Sequence, residues 1–279
     1  MDLSIIELIK VVILGVVEGL TEWLPVSSTG HMLLFDEFIP FEASAAFKEL
    51  FFIVIQLGAI MAVVVLFWHR LWPFRRPGTK GGTPVRADVM TMWGKVVLAC
   101  VPGGIATVLL DDYVDAHLHT PVVIAAALIV YGLGFLLIER ANQARKPRYE
   151  TVADMPWSVA LGIGLFQVLS LIPGTSRSGS TILGGLILGV SRVAAAEFTF
   201  FLAVPAMLGY SLIKLVKFGL HFTAGELGLL LFGMAVAFSV SLACIRFLMN
   251  YVKRHDFRVF GWYRIALGAL VLLWFLVIK

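Results

Sequence analysis

Two polar segments interrupt an otherwise apolar sequence and carry the residues best suited to chemistry. The first runs from Glu18 to His31 (EGLTEWLPVSSTGH) and contains two carboxylates, Glu18 and Glu22, four positions apart. A helix places such residues on one face, where two like charges repel each other. A divalent cation or a cationic side chain would offset that repulsion. A capping or salt-bridged pair at a hydrated helix end is the plainer alternative.

The second segment runs from Pro173 to Thr181 (PGTSRSGST) and supplies one arginine, Arg177, among small hydroxyl residues and glycines. The planar guanidinium matches phosphate oxygens in pairs. Small residues at a helix start let backbone N–H groups approach an anion. No Gly-Lys-Ser/Thr follows, which excludes a Walker-type nucleotide loop. The segment therefore predicts an anion-binding loop, with a snorkelling arginine as the alternative.

Carboxylates, hydroxyls, an imidazole and an anion clamp are the groups that phosphoryl transfer requires, since its transition state demands mainly positioning and charge neutralisation. Ser28 is the predicted nucleophile, and His31 takes or returns the proton. A metal-activated water is a variant that the sequence does not separate from this one. The predicted catalytic residues are Ser28, His31, Glu22 and Arg177, and the predicted metal ligands are Glu18 and Glu22. Gln56, on the span after the first segment, is a further candidate for substrate binding, with an interhelical hydrogen bond as its alternative role.

The composition that surrounds these segments is typical of a membrane protein. The 279 residues are 59% hydrophobic and 14% charged, with a mean hydropathy of +0.93. Soluble domains average about 45–50% apolar and about 25% charged residues. The net charge of +4 is explained by Lys and Arg in cytoplasmic loops, so no nucleic-acid partner is expected.

An all-α fold with six transmembrane helices and two re-entrant helical hairpins is predicted, in a single domain over residues 1–279. A span needs about 20 mostly apolar residues. Six segments meet this requirement: 47–68, 93–110, 120–139, 194–217, 224–248 and 260–278. Two more apolar stretches, 3–40 and 157–190, are broken by the polar segments into arms too short to cross, which predicts the hairpins.

Loop charge orients the predicted spans. The loops at 69–95, 140–148 and 253–258 are basic, whereas 111–119 contains acidic residues and no Lys or Arg. Basic loops belong on the cytoplasmic side. Threading six spans through this pattern places both termini outside, with the first hairpin entering from outside and the second from the cytoplasm.

The two halves of the chain also resemble each other. Pro-Val-Ser-Ser at 25–28 matches Pro-Gly-Thr-Ser at 173–176, roughly 150 residues later. Each half would contain one hairpin and three spans, and an odd number of spans inverts the second copy. We therefore predict inverted repeats over approximately 1–140 and 150–279. Repeats of this kind with broken helices place their site near the midplane, between the copies.

The two segments, 18–31 and 173–181, closely resemble the two signature motifs of the undecaprenyl-diphosphate phosphatase family, also called bacitracin-resistance proteins. The resemblance extends over the whole chain in length, motif order and spans. It implies a hydrolase of the bacterial cytoplasmic (inner) membrane that needs a divalent cation, Mg²⁺ or Ca²⁺. It also implies a C55 isoprenyl diphosphate substrate, undecaprenyl diphosphate, whose cleavage recycles the lipid carrier for peptidoglycan synthesis. The pocket would open to the periplasmic face, and a homodimer is compatible with the sequence.

The same resemblance implies functional roles at eight positions. These are Glu18, Glu22, Ser28, Thr29, His31, Ser176, Arg177 and Thr181. With the resemblance taken into account, the expected substrate-binding residues are Ser27, Thr29, Ser176 and Thr181, together with Gln56. Two other classes of protein compete with a phosphatase. A transporter or flippase for the lipid carrier would share the inverted repeats but has little use for a carboxylate pair beside Ser and His. A non-catalytic helical scaffold would leave the polar segments unexplained.

Overall fold

The computed structural model describes residues 5–41, 43–75, 84–219 and 221–275, and the structural statements below concern these residues. Within them the chain forms α-helices and no β-strand. In the first half the helices are α1 (Ile5–Thr21), α2 (Ser28–Phe38), α3 (Ala45–Val54), α4 (Gln56–Leu66), α5 (Trp68–Leu71), α6 (Ala87–His117) and α7 (Pro121–Asn142). In the second they are α8 (Trp157–Val168), α9 (Arg177–Ile187), α10 (Arg192–Phe218), α11 (Ala224–Tyr251) and α12 (Arg258–Leu273).

The helices confirm an all-α, multi-pass membrane protein. Five described stretches are long and apolar enough to cross a bilayer, and they coincide with the first five predicted spans: Ala45–Leu66, Ala87–Val114, Pro121–Asn142, Arg192–Phe218 and Ala224–Tyr251. The sixth predicted span, 260–278, overlaps most of α12, but residues 276–279 lie outside the described part of the chain. A crossing at that position therefore stays a prediction.

Both predicted hairpins are present as pairs of short helices. The first joins α1 to α2 through residues 22–27, and the second joins α8 to α9 through a 3₁₀ turn and residues 172–176. Their arms have 17, 11, 12 and 11 residues, fewer than the roughly 20 that a crossing needs. The order of a hairpin followed by long helices recurs in the second half, while the inversion of the repeats in the bilayer stays a prediction.

Each hairpin packs against a long helix of the other half of the chain. Helix α1 lies on α11, and α8 lies on α6. Glycines permit the close approach, because a Cβ on Gly19 would stand 2.8 Å from the Ala237 carbonyl oxygen. A Cβ on Gly164 would stand 2.4 Å from the Ala99 carbonyl oxygen. Small residues of this kind let helix backbones pack tightly inside a bilayer. Because each hairpin packs against the other half of the chain, the two hairpin tips meet in the interior.

The contact between α4 and α11 provides a test of this packing. A Cβ on Gly58 would lie 2.2 Å from the Met234 carbonyl oxygen, whereas one on the exposed Gly209 of α10 meets nothing within 4 Å. We predict that Gly58→Ala lowers the thermal unfolding midpoint in detergent, because overpacking typically costs about 1–3 kcal/mol. Gly209→Ala is the matched control and should leave the midpoint unchanged or raise it slightly. Equal midpoints for the two variants would contradict the described contact.

Candidate active site

The two hairpin tips have the same local geometry. Ser27 and Ser176 are the only non-glycine residues with positive φ in the described chain, at 77° and 72°. Each caps the helix that follows, since the Ser27 hydroxyl accepts from the Gly30 N–H and the Ser176 hydroxyl from the Gly179 N–H, both at 3.2 Å. The tips thereby start two helices, α2 and α9, whose N-termini carry partial positive charge and free N–H groups.

Glu22 joins the two tips. Its Oε2 accepts a 2.6 Å hydrogen bond from the Ser28 hydroxyl, and its Oε1 forms a 2.9 Å ion pair with the Arg177 guanidinium. The Glu22 and Arg177 side chains are only 7% and 12% exposed, so the pair is weakly screened by water. A serine hydroxyl that donates to a carboxylate at this distance is a charge-assisted bond. The carboxylate is thus placed to take the hydroxyl proton.

Arg177 keeps donors available for an anion. Its Nη1 donates to the Thr199 carbonyl at 2.9 Å, and its buried Nε has no hydrogen-bond partner among the described residues. A guanidinium has five N–H donors, so the bonds to Glu22 and Thr199 leave three of them. The fully buried Thr181 hydroxyl bonds the Thr199 hydroxyl at 2.8 Å and the Arg177 main-chain carbonyl at 2.8 Å. It thereby fixes the backbone that carries the arginine.

Glu18 is a fully buried carboxylate, and neither of its oxygens has a hydrogen-bond partner among the described residues. The helical turn continues past α1, because the Glu22 N–H donates to the Glu18 carbonyl at 3.0 Å. The two side chains therefore share one face. A buried carboxylate without a partner is costly, and a bound cation would satisfy it.

The two carboxylates suit a divalent cation whose remaining coordination positions are filled by substrate phosphates and water. The described chain contains no group of three or more His, Cys, Asp or Glu side chains able to hold a metal ion. Mg²⁺ is commonly bound by one or two carboxylates together with substrate phosphates and water. Glu18 and Glu22 match that pattern, with Glu18 as the carboxylate that has both oxygens available.

His31 does not pair with Ser28. Its Nδ1 lies 2.7 Å from the Ser27 carbonyl, and its Nε2 lies 2.7 Å from the Tyr263 hydroxyl. A carbonyl only accepts, so Nδ1 carries a proton and donates to it. The predicted Ser28–His31 pair is therefore replaced by Ser28–Glu22, because α2 begins at Ser28 and turns its hydroxyl back toward Glu22.

Arg264 of α12 fastens both hairpin tips. Its Nη1 donates to the Pro25 carbonyl at 3.0 Å, and its Nη2 donates to the Gly174 and Thr175 carbonyls at 2.7 and 2.8 Å. The side chain is fully buried, and the Tyr131 ring lies 5.5 Å from its guanidinium carbon. One cation thus satisfies carbonyls from two loops that are about 150 residues apart in the chain.

The other predicted substrate-binding residues have different surroundings. Ser27 and Ser176 use their hydroxyls as helix caps, as described above. Gln56 lies at the start of α4, with its amide 3.5 Å from the Phe52 carbonyl. Within the described part of the chain, no hydrogen bond joins it to Glu22, Ser28 or Arg177. The Thr29 side chain lies outside the described residues, so its predicted role stays a prediction.

Four residues at the site escaped sequence reasoning: Ser178, Thr199, Tyr263 and Arg264. Ser178 donates to the Glu22 carbonyl at 2.9 Å and so links the hairpins directly. Arg264 could have been found, because it is the only charged residue between positions 259 and 278. A lone arginine in an apolar span is a functional candidate. Thr199 and Tyr263 carry no comparable signal.

Apolar helices that enclose carboxylate, guanidinium and hydroxyl groups at two helix N-termini define an integral membrane protein with a buried polar site suited to an anion. Residues 11–270 match the family described as bacitracin resistance protein BacA. The chain belongs to this family.

Curated relatives cover almost the whole chain. An undecaprenyl-diphosphatase of Enterococcus faecalis is 62% identical over 273 residues, 98% of this chain and 99% of its own length. The undecaprenyl-diphosphatase of Desulfitobacterium hafniense is 52% identical, with 98% of each chain covered. That of Streptococcus thermophilus is 53% identical over 96% of this chain and 93% of its own.

The role of Arg264 as a fastener of both tips predicts a paired effect. Arg264→Lys should speed amide hydrogen exchange in residues 23–30 and 173–180 together, because an ammonium lacks the planar fork that reaches both loops. Exchange monitored by mass spectrometry of the detergent-solubilised protein provides the measurement. Arg246→Lys, on an exposed position of α11, is the control and should change neither segment. Faster exchange in only one loop would show that the tips are held separately.

Proposed function

We propose that this protein hydrolyses undecaprenyl diphosphate to undecaprenyl phosphate and inorganic phosphate. The curated relatives above carry the name of that activity. The observation that supports it most in the structure is Glu22, which binds a hydroxyl nucleophile through one oxygen and an anion-binding arginine through the other. This is a hydrolytic arrangement, for which a scaffold or a simple carrier has no use.

The proposed reaction begins at Ser28. Its oxygen attacks the terminal phosphorus while the hydroxyl proton passes to Glu22, 2.6 Å away. The bond between that phosphorus and the bridging oxygen breaks, and undecaprenyl phosphate leaves with the bridging oxygen. Water then attacks the phosphoserine, inorganic phosphate is released, and the proton returns to Ser28.

Arg177 binds the terminal phosphate in this scheme. Its unused donors and the N-termini of α2 and α9, which begin at Ser28 and Arg177, would stabilise the negative charge that spreads over the phosphoryl oxygens. The Thr199 carbonyl accepts from the guanidinium and holds it in place, and the Thr181 hydroxyl bonds the Thr199 hydroxyl and the Arg177 main-chain carbonyl. The positive groups are fixed before substrate arrives, so little reorganisation accompanies the reaction.

Glu18 and Glu22 would hold the divalent cation, Mg²⁺ or Ca²⁺. When bound, it would neutralise charge on the diphosphate. His31 lies at the more exposed edge of the site beside the 46%-exposed Tyr263. With its proton on Nδ1, the imidazole presents Nε2 as an acceptor, and the Tyr263 hydroxyl donates to it.

The site is proposed to open to the periplasmic face of the bacterial cytoplasmic membrane. Support comes from the charge pattern, since basic residues at 140–148 and 253–258 contrast with the acidic 111–119. The product would re-enter the lipid carrier pool for peptidoglycan synthesis, and its formation from undecaprenyl diphosphate agrees with the bacitracin resistance in the family description.

Loss of the Ser28 hydroxyl should stop the reaction. Ser28→Ala is expected to lower turnover by about a thousandfold or more, as for other essential nucleophiles. Ser27→Gly is the matched control, because glycine tolerates the positive φ and removes only a capping hydroxyl. Phosphate release from a long-chain isoprenyl diphosphate measures both variants, and rapid quench with mass spectrometry should detect phosphate on Ser28. Demonstrated turnover without a phosphoenzyme would favour direct attack by water.

The proposed role of Glu18 as a cation ligand can be tested by its effect on the cation dependence of phosphate release. Glu18→Gln should shift the cation concentration for half-maximal phosphate release upward by about tenfold or more, since a neutral amide binds hard cations more weakly than a carboxylate. The control is Glu226→Gln in the exposed cap of α11, which should leave the cation titration unchanged. An unaltered titration for Glu18→Gln would remove this residue from the cation site.

The proposed orientation is tested separately from the chemistry. With Cys100 and Cys244 replaced by Ala, a cysteine at Ala144 should be protected from membrane-impermeant thiol reagents in intact cells. A cysteine at the exposed Ala116 should be labelled. The reverse pattern would place the basic loops outside and invert the topology.

A further inference from the structure

A second charged site lies at the far end of the hairpin helix α9. A cleft of about 660 Å³ opens between the C-terminal ends of α7, α9 and α11 and the start of α10. Helix α9 has 11 residues and is therefore about 16 Å long. Arg177 begins this helix, and the cleft is at its other end, so the cleft is separate from the candidate active site. We call it the basic cleft.

The wall of the basic cleft is held by main-chain bonds. The N–H groups of Arg148 and Tyr149 donate to the Gly189 carbonyl at 2.8 and 3.2 Å, and the Ser191 N–H donates to the Tyr149 carbonyl at 2.9 Å. The Ser191 hydroxyl donates to the Glu150 carbonyl at 2.8 Å. The segment after α7 is thus fastened to the turn between α9 and α10, and its basic side chains are presented by an ordered backbone.

The charge inside the basic cleft is strongly one-sided. Its lining contains five cationic side chains and one carboxylate: Arg145, Lys146, Arg148, Arg192, Lys253 and Glu139. Glu139 is fully buried and already bound, because it accepts from the Arg192 guanidinium and from the Phe257 N–H. The other four cations have no ion-pair or hydrogen-bond partner for their side chains in the described chain, so the cleft retains an unneutralised positive charge.

We propose that the basic cleft binds a phosphate group. Arginine pairs and lysine are the side chains that recognise phosphate best, and Ser191 and Arg192 add the N-terminus of the 27-residue helix α10. The cleft also has an apolar margin, where Ile187 is 47% exposed beside Leu188. That margin suits the acyl chains of an anionic phospholipid whose headgroup occupies the cleft. A soluble phosphate compound would bind the same cationic side chains but would not contact the apolar margin.

Compensation of helix dipoles supplies the competing explanation for these cations. Three helix C-termini meet at the basic cleft, and basic residues favour such ends and cytoplasmic loops without binding any ligand. Binding measurements separate the two explanations. The double variant Arg145→Gln/Arg148→Gln removes two cations from the cleft. Arg140→Gln/Arg254→Gln removes two exposed arginines from neighbouring helix ends outside it, and both variants lose the same charge.

The experiment is native mass spectrometry of the detergent-solubilised protein, titrated with phosphatidylglycerol in one arm and inorganic phosphate in the other. The cleft variant should bind about tenfold more weakly or worse, because each basic group near an anionic surface contributes roughly a factor of five. The matched control should bind like the unmodified protein. Selective loss of phosphatidylglycerol identifies a lipid headgroup, and selective loss of inorganic phosphate identifies a soluble ligand. Equal binding by both variants in both arms would overturn the proposal.

Discussion

The three hydrogen bonds from Arg264 to the two hairpin tips are the constraint on which the rest of the site depends. Each tip is non-helical backbone inside a membrane protein, and such backbone is tolerated only where other groups satisfy its carbonyls. The Arg264 guanidinium satisfies three of them from one buried position. A charge so deeply buried is itself costly, so the carbonyls and the arginine each compensate the desolvation of the other. Removing either side would leave polar groups unpaired in a dry interior.

Once the tips are held in place, Glu22 is the residue that contacts the polar groups of both. The Ser178 hydroxyl holds the Glu22 main chain at 2.9 Å, and the Glu22 side chain meets Ser28 and Arg177. A single carboxylate therefore connects Ser28, the proposed nucleophile of the first tip, with Arg177, the proposed anion-binding residue of the second. Neither hairpin contains a complete site. The site forms only because each hairpin packs against a long helix of the other half, which brings the two tips together. The starts of α2 and α9 add positive potential at the same place.

The sequence predicts the elements of this arrangement better than their pairing. Polar breaks in apolar stretches predict both hairpins, because the arms that remain are too short to cross a bilayer. The types of Glu18, Glu22 and Arg177 indicate a phosphate site for similar physical reasons. Spacing alone, however, suggests that Ser28 and His31 interact. The positive φ of Ser27 instead starts α2 so that Ser28 faces Glu22, and His31 reaches Tyr263 on α12. Contacts between distant segments, including those of Arg264 and Thr199, depend on tertiary packing and leave no local pattern.

The central claim is that two hairpin tips assemble one phosphoryl-transfer site around Glu22. An experimental structure with a methylene-bridged analogue of a long-chain isoprenyl diphosphate tests it most directly. The terminal phosphorus should lie in line with the Ser28 oxygen, with Arg177 on its oxygens and a cation against Glu18. A phosphorus in line with His31, or an analogue bound away from both tips, would contradict the account.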